Sequence, residues 1–155
     1  MVIAIFGENC TGKSTLAEKL KAEFDGVIYT GKDYLRLAKS AFEAEKIFKE
    51  KLCAAADAKA AAGEAIGGGN IIYIISEKIH LDLLPEKCFK ILVTAELSVI
   101  KQRFAARMRG NLPPPVEAML EKNHGAFDNE AHNFHYENAE NYADLILKIR
   151  GTYAN

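Results

Sequence analysis

The chain has 155 residues, 49% of them hydrophobic and 26% charged. That mix suits one ordinary globular domain, which at this length buries about 70% of the surface its unfolded chain exposes. Lys plus Arg number 20 and Asp plus Glu 21, for a net charge of −1, which speaks against a dedicated nucleic-acid binder.

Apolar runs such as Ile71–Ile75 fall far short of the about twenty residues a bilayer-spanning helix needs. Met1 leads straight into a strand-like run, so neither a membrane span nor a signal peptide is expected. The three cysteines, Cys10, Cys53 and Cys88, are odd in number and form no Cys-x-x-Cys. Free thiols in a reducing cytoplasm are the expectation.

Val2–Phe6 is a short apolar run closed by Gly7 and reads as a buried strand. From Ser14 to Phe24, Leu16, Ala17, Leu20 and Phe24 recur with a helical period. Val27–Tyr29 is a second strand. Lys32 to Ala62 is rich in Ala, Lys and Glu without Gly or Pro, which predicts helix, broken once near Ser40. Gly67-Gly68-Gly69-Asn70 ends it. Ile71–Ile75 and Cys88–Val93 are the third and fourth strands, apolar as strands covered on both faces should be. Leu97–Met108 is helical. Pro113-Pro114-Pro115 interrupts, and a further helix is expected from there to about Asn123. Asp128–Tyr142 is a polar helix candidate, and Leu145–Ile149 reads as a fifth strand. The alternation predicts an α/β fold of three layers, α/β/α, around a five-stranded parallel sheet.

Gly7-Glu8-Asn9-Cys10-Thr11-Gly12-Lys13-Ser14 fits the phosphate-loop pattern Gly-x-x-x-x-Gly-Lys-Ser/Thr, with a strand before it and a helix after. Gly7 and Gly12 admit backbone angles that let successive N–H groups turn inward on a phosphate. The helix beginning near Lys13 adds its positive end. Lys13 is expected to reach the β- and γ-phosphates of ATP and the Ser14 hydroxyl to bind Mg²⁺. Thr15 closes the motif, and Cys10 reads as a small filler of the loop. No Asn-Lys-x-Asp or Asp-x-x-Gly of a GTPase occurs, no Ser-Gly-Gly of an ABC ATPase, and the third strand ends in Ser76-Glu77 rather than in the Asp of a RecA-type motor.

The chain resembles the superfamily of nucleoside monophosphate kinases: adenylate, cytidylate and shikimate kinases and their small relatives. Three segments carry the likeness: Gly7–Thr15, Thr30-Gly31-Lys32-Asp33-Tyr34-Leu35-Arg36, and the acid-free basic run Lys101–Arg109. The second resembles the Thr-Gly-Asp-x-x-Arg of adenylate kinases with one residue inserted, and the third the arginine-rich entry to their lid. The zinc-binding lid and the Asp-Gly-x-Pro-Arg of adenylate kinases are missing. Gly67-Gly68-Gly69 is similar to the acceptor loop of shikimate kinases, though no Asp-x-Asp follows the second strand.

The resemblance implies a P-loop kinase domain spanning residues 1–155, with a short lid around 103–123. It implies transfer of the γ-phosphoryl of ATP, with Mg²⁺, to a small acceptor, first of all a nucleoside monophosphate. The alternatives are a small-metabolite kinase of the shikimate or gluconate kinase type and, from another class, an ATP-binding module without transferase activity.

Phosphoryl transfer asks for positioning and positive charge. Arg103 and Arg107 are four apart and share a helix face, with Arg109 beyond them. Asp33 and Arg36 follow the second strand, at the edge where open α/β sheets bind ligands, and are expected to face the acceptor. Glu77 follows the third strand and is the candidate second metal group. For each of these the plain alternative is a solvated helix face or a helix N-terminal acid. His132 and His135, three apart, and His124 fit a polar surface better than a metal site. A small-molecule acceptor is the expected partner; membrane and nucleic acid are not, and the chain is expected to be a monomer or small homo-oligomer.

Overall fold

The computed structural model describes residues 1–58 and 69–154. Five strands, β1 (Val2–Phe6), β2 (Gly26–Thr30), β3 (Asn70–Ile75), β4 (Phe89–Val93) and β5 (Phe134–Tyr136), form one sheet in the order β2-β3-β1-β4-β5. All pairings are parallel, so the five carboxyl ends share one edge. Phe6 lies opposite both Ile75 and Leu92, and Val93 opposite Tyr136. Gly7, Gly31, Ser76, Thr94 and Glu137 therefore all leave the sheet at that edge.

Side-chain alternation along β1 builds the layers. Ile3 and Ile5 face a core that holds Leu16, Ala17 and Leu20 of α1 (Lys13–Phe24) and Leu145 and Ile149 of α5 (Tyr142–Tyr153). Val2, Ala4 and Phe6 face the other core, with Phe48, Leu52 and Ala55 of α2 (Ala41–Asp57). α2 opens at the predicted break: the Ser40 hydroxyl accepts the Glu43 N–H at 3.1 Å, a helix N-cap. Asp33–Leu37, ahead of it, is a short 3₁₀ turn rather than α-helix. The expected continuation to Ala62 and the Gly67-Gly68 step lie outside the described residues. α3 (Leu97–Arg107) and α4 (Pro114–Asn123) pack on each other through a third apolar cluster of Ile100 and Leu120 with Phe104, Leu112 and Val116. Lys101 of α3 bridges Glu117 at 3.1 Å and Glu121 at 2.6 Å on α4.

The C-terminal third departs from expectation. The expected strand Leu145–Ile149 is the middle of α5. Tyr142, Leu145, Ile146, Ile149 and Tyr153 recur at helical spacing and all meet the core, whereas Leu147 is 69% exposed. Leu-Ile-Leu-Lys-Ile fits either period over five residues, and only the flanking tyrosines decide. The fifth strand lies instead inside Asp128–Tyr142, the segment expected to be helical. At three residues, paired on one side only, β5 needs no long apolar run.

The helical reading separates two leucines that a strand would treat alike. Leu145→Ala should cost about 2–5 kcal/mol in denaturant unfolding, and Leu147→Ala no more than about 0.5 kcal/mol. Equal losses at the two positions would contradict α5.

Candidate active site

The loop between β1 and α1 is shaped by sterics at its first residue. Gly7 has φ +155°, and a Cβ there would stand 2.2 Å from the Val93 carbonyl oxygen of β4, so any side chain would force β1 and β4 apart at the edge. Cys10 and Gly12 follow with φ 62° and 98°, left-handed steps that turn backbone N–H groups inward. Thr11 is buried, and its hydroxyl donates to the Glu8 carbonyl at 2.9 Å. α1 then starts without a side-chain cap and without an acid in its first turn. Its first N–H groups and its positive dipole end stay available to an anion.

Lys13 is 6% exposed, and its ammonium donates to the carbonyls of Gly7 at 2.9 Å and Glu8 at 2.5 Å. Burial pushes its pKa down to about 8, with Arg107 adding in the same direction and Cys10 and Glu8 opposing. Ser14 and Thr15 follow on the exposed face of α1.

Arg103 comes to this loop from 93 residues away. Its Nη1 donates to the Cys10 carbonyl at 3.0 Å and is 3.9 Å from the position a Gly12 Cβ would take. The buried Cys10 joins the apolar cluster between α3 and α4, so the loop and these helices share a small core of their own. Arg103 and Arg107, on one face as expected, line a cavity of about 510 Å³ with Thr15, Lys19, Glu137 and Asn138. Lys101 is held by its two glutamates, and Arg109 is exposed at φ 62°, at the end of the helix. Glu137 and Asn138 are not among the sequence candidates, because a fifth strand at Leu145–Ile149 leaves them inside an expected helix, whereas β5 ends just before them. The aromatic alternation Phe134-His135-Tyr136, ending in Glu137-Asn138, was the signal available.

At the other side of the edge, one Asp33 oxygen accepts the Thr30 N–H at 2.9 Å and the other lies 3.7 Å from the Arg36 guanidinium. Arg36 is 85% exposed. Beneath them lies an aromatic group: Tyr34 stacks on Phe48 at 5.3 Å, and the Tyr73 hydroxyl donates to the Gly31 carbonyl at 2.7 Å. Burial raises the Tyr73 pKa, and Tyr34, Asp33 and Glu77 nearby raise it further. His80 is buried in the same group, and its Nδ1 has no hydrogen-bond partner among the described residues. Glu77 is exposed at the end of β3, without an ion pair among the described residues. The sequence brought Asp33, Arg36 and Glu77 to this rim but gave no sign of the aromatic floor.

His132 and His135 do not share a helix. Their rings are 6.1 Å apart, and the His135 Nε2 is 2.6 Å from the Thr94 hydroxyl. Among the described residues no group of three or more His, Cys, Asp or Glu is placed to hold a metal.

The buried ammonium has a signature in unliganded protein. Its pKa is about 8 folded against an ordinary 10.5, so between those values the unfolded chain binds more protons and stability rises with pH. Relative to Lys13→Met, wild type should gain stability from pH 8 to pH 10.5 in parallel denaturation series. A constant or shrinking relative stability would contradict the burial.

No protein-family model and no curated protein matches the chain. Solved structures do. A gluconokinase from Sinorhizobium meliloti 1021 aligns with a TM-score of 0.56 at 13% identity, over 99% of this chain and 91% of that one. The shikimate kinase of Aquifex aeolicus aligns at 0.52 and 12%, over 100% and 99%. YorR of Bacillus subtilis, solved with phosphorylated GDP, aligns at 0.54 and 21%, over 100% and 99%. Together with the β2-β3-β1-β4-β5 sheet and the loop after β1, these alignments show that the chain has the fold of the small P-loop kinases.

Proposed function

We propose that the chain is an ATP-dependent phosphotransferase that moves the γ-phosphoryl of ATP to a nucleoside monophosphate. The observation that carries this reading is the Arg103 guanidinium, bonded to the Cys10 carbonyl at 3.0 Å in the same loop that buries Lys13. A loose phosphoryl-transfer transition state spreads charge over the equatorial oxygens, and fixed cations around them are what lowers its energy. Lys13 exchanges its two carbonyl partners for phosphate oxygens. Arg103 and Arg107 approach from α3, the entry to a lid that runs to α4. The cavity they share with Glu137 and Asn138 is of a size to take the donor nucleoside.

The donor chemistry at the rim fits Mg²⁺, which needs only one or two protein oxygens besides phosphates and waters. The exposed Ser14 hydroxyl would hold it, with Glu77 for its water shell. Bound there, the ion would offset charge on the β- and γ-phosphates. Asp33 splits its oxygens between the Thr30 N–H and Arg36 and so orients Arg36 for the acceptor's phosphate. YorR, which aligns with this chain, was crystallised with phosphorylated GDP, so the fold accommodates a nucleotide.

One observation favours a second reading, a kinase of a hydroxylated metabolite like the gluconokinase and the shikimate kinase. Arg36 is 85% exposed, and an acceptor that carries no phosphate needs no phosphate grip there.

Lys13→Ala should lose nearly all turnover while keeping the fold, read as an unchanged circular-dichroism spectrum. Arg103→Ala should lose about 10³-fold. A panel of nucleoside monophosphates and hydroxylated metabolites, with ATP consumption as readout, separates the two acceptor classes. Full turnover in Lys13→Ala would refute the reading, and tight ATP binding without product on any acceptor would favour a module that only binds.

A further inference from the structure

Glu8 is the first variable residue of the phosphate loop, yet its carboxylate does not turn toward the loop's interior. The side chain is 12% exposed and reaches the turn that follows α4, 116 residues away. Its Oε1 lies 3.2 Å from the His124 Nδ1, and its Oε2 accepts the Gly125 N–H at 3.2 Å. The turn is built to present that N–H. His124 ends α4, and Gly125 takes φ +78°, a conformation other residues resist. A Cβ on Gly125 would also come to 3.0 Å from an Asp128 carboxylate oxygen.

The backbone of Glu8 is tied as well. Its carbonyl accepts from the Lys13 ammonium at 2.5 Å and the Thr11 hydroxyl at 2.9 Å. One residue thus contacts the phosphate-binding lysine through its main chain and the end of α4 through its side chain. At the other end of the α3–α4 pair, Arg103 and the apolar cluster around Cys10 make the second attachment. A loop pinned at two points loses little further freedom on binding.

We infer that Glu8 is a positioning residue: its carboxylate tethers the phosphate loop to the His124–Gly125 turn and holds the loop and the α3–α4 pair in the arrangement that receives the nucleotide's phosphates. The inference rests on the nucleotide-binding reading above. Its charge-dependent part belongs to His124, which adds an ion pair to Glu8 only when protonated.

The first measurement uses protein without nucleotide: amide hydrogen exchange at Gly125, followed by NMR. Glu8→Ala should speed it by about tenfold or more, while Glu8→Gln, which keeps an acceptor and the side chain's shape, retains most of the protection. Unchanged exchange in Glu8→Ala overturns the tether. The second is the calorimetric Kd for a non-hydrolysable ATP analogue with Mg²⁺. Glu8→Ala should weaken it about tenfold, the scale of one charge-assisted hydrogen bond. Faster exchange with a Kd unchanged within twofold overturns the positioning role and leaves nucleotide binding standing. No affinity in wild type overturns nucleotide binding and the positioning role together, while the exchange result still decides the tether.

Discussion

A lysine residue that is only 6% exposed has lost most of its hydration, and such burial is tolerable only where fixed oxygens replace the water around its ammonium. For Lys13 the oxygens are the carbonyls of Gly7 and Glu8. They point at the ammonium because the chain leaves β1 through a residue with no side chain, pressed against Val93 of β4, and returns into α1 through the left-handed Gly12. The uncapped start of α1, the inward N–H groups and the depressed lysine pKa all follow from that path. The parallel sheet fixes where the path begins, since β1 lies at its centre with β3 and β4 on either side.

What surrounds the loop is attached to it rather than merely near it. Cys10 gives its side chain to the core between α3 and α4 and its carbonyl to Arg103. A displacement of α3 that removed Arg103 from the loop would also expose that small core, so the position of the guanidinium is coupled to packing. The Lys101 bridges to Glu117 and Glu121 hold α4 to α3. The acid-free stretch Lys101–Arg109 therefore divides: one cation is structural, two line the cavity beside the loop, and Arg109 lies at the exposed end.

Four strands, the glycine-bounded loop between β1 and α1, the break at Ser40 and the shared face of Arg103 and Arg107 were legible in the sequence, because each carries its own local signal: an apolar run, a glycine pattern, a cap, a four-residue spacing. The C-terminal third was not. β5 is too short to have a period, and Leu145–Ile149 satisfies two periods at once, so tertiary packing decides both. That error hid Glu137 and Asn138, which line the cavity with the two arginines. Contacts across long sequence separations left no trace either. Nothing in Glu8, His124 or Gly125 announces their meeting, and nothing in His80 its burial against Tyr34 and Tyr73.

In the proposed function the buried Lys13 ammonium is the group that meets the nucleotide's phosphates. The direct measurement is its own titration, followed by NMR at the lysine ε-carbon with and without a non-hydrolysable ATP analogue. A pKa near 8 in the free protein, rising when the triphosphate brings negative charge to the ammonium, is the predicted result. A lysine that titrates at its ordinary 10.5, or whose pKa ignores the analogue, would contradict that role.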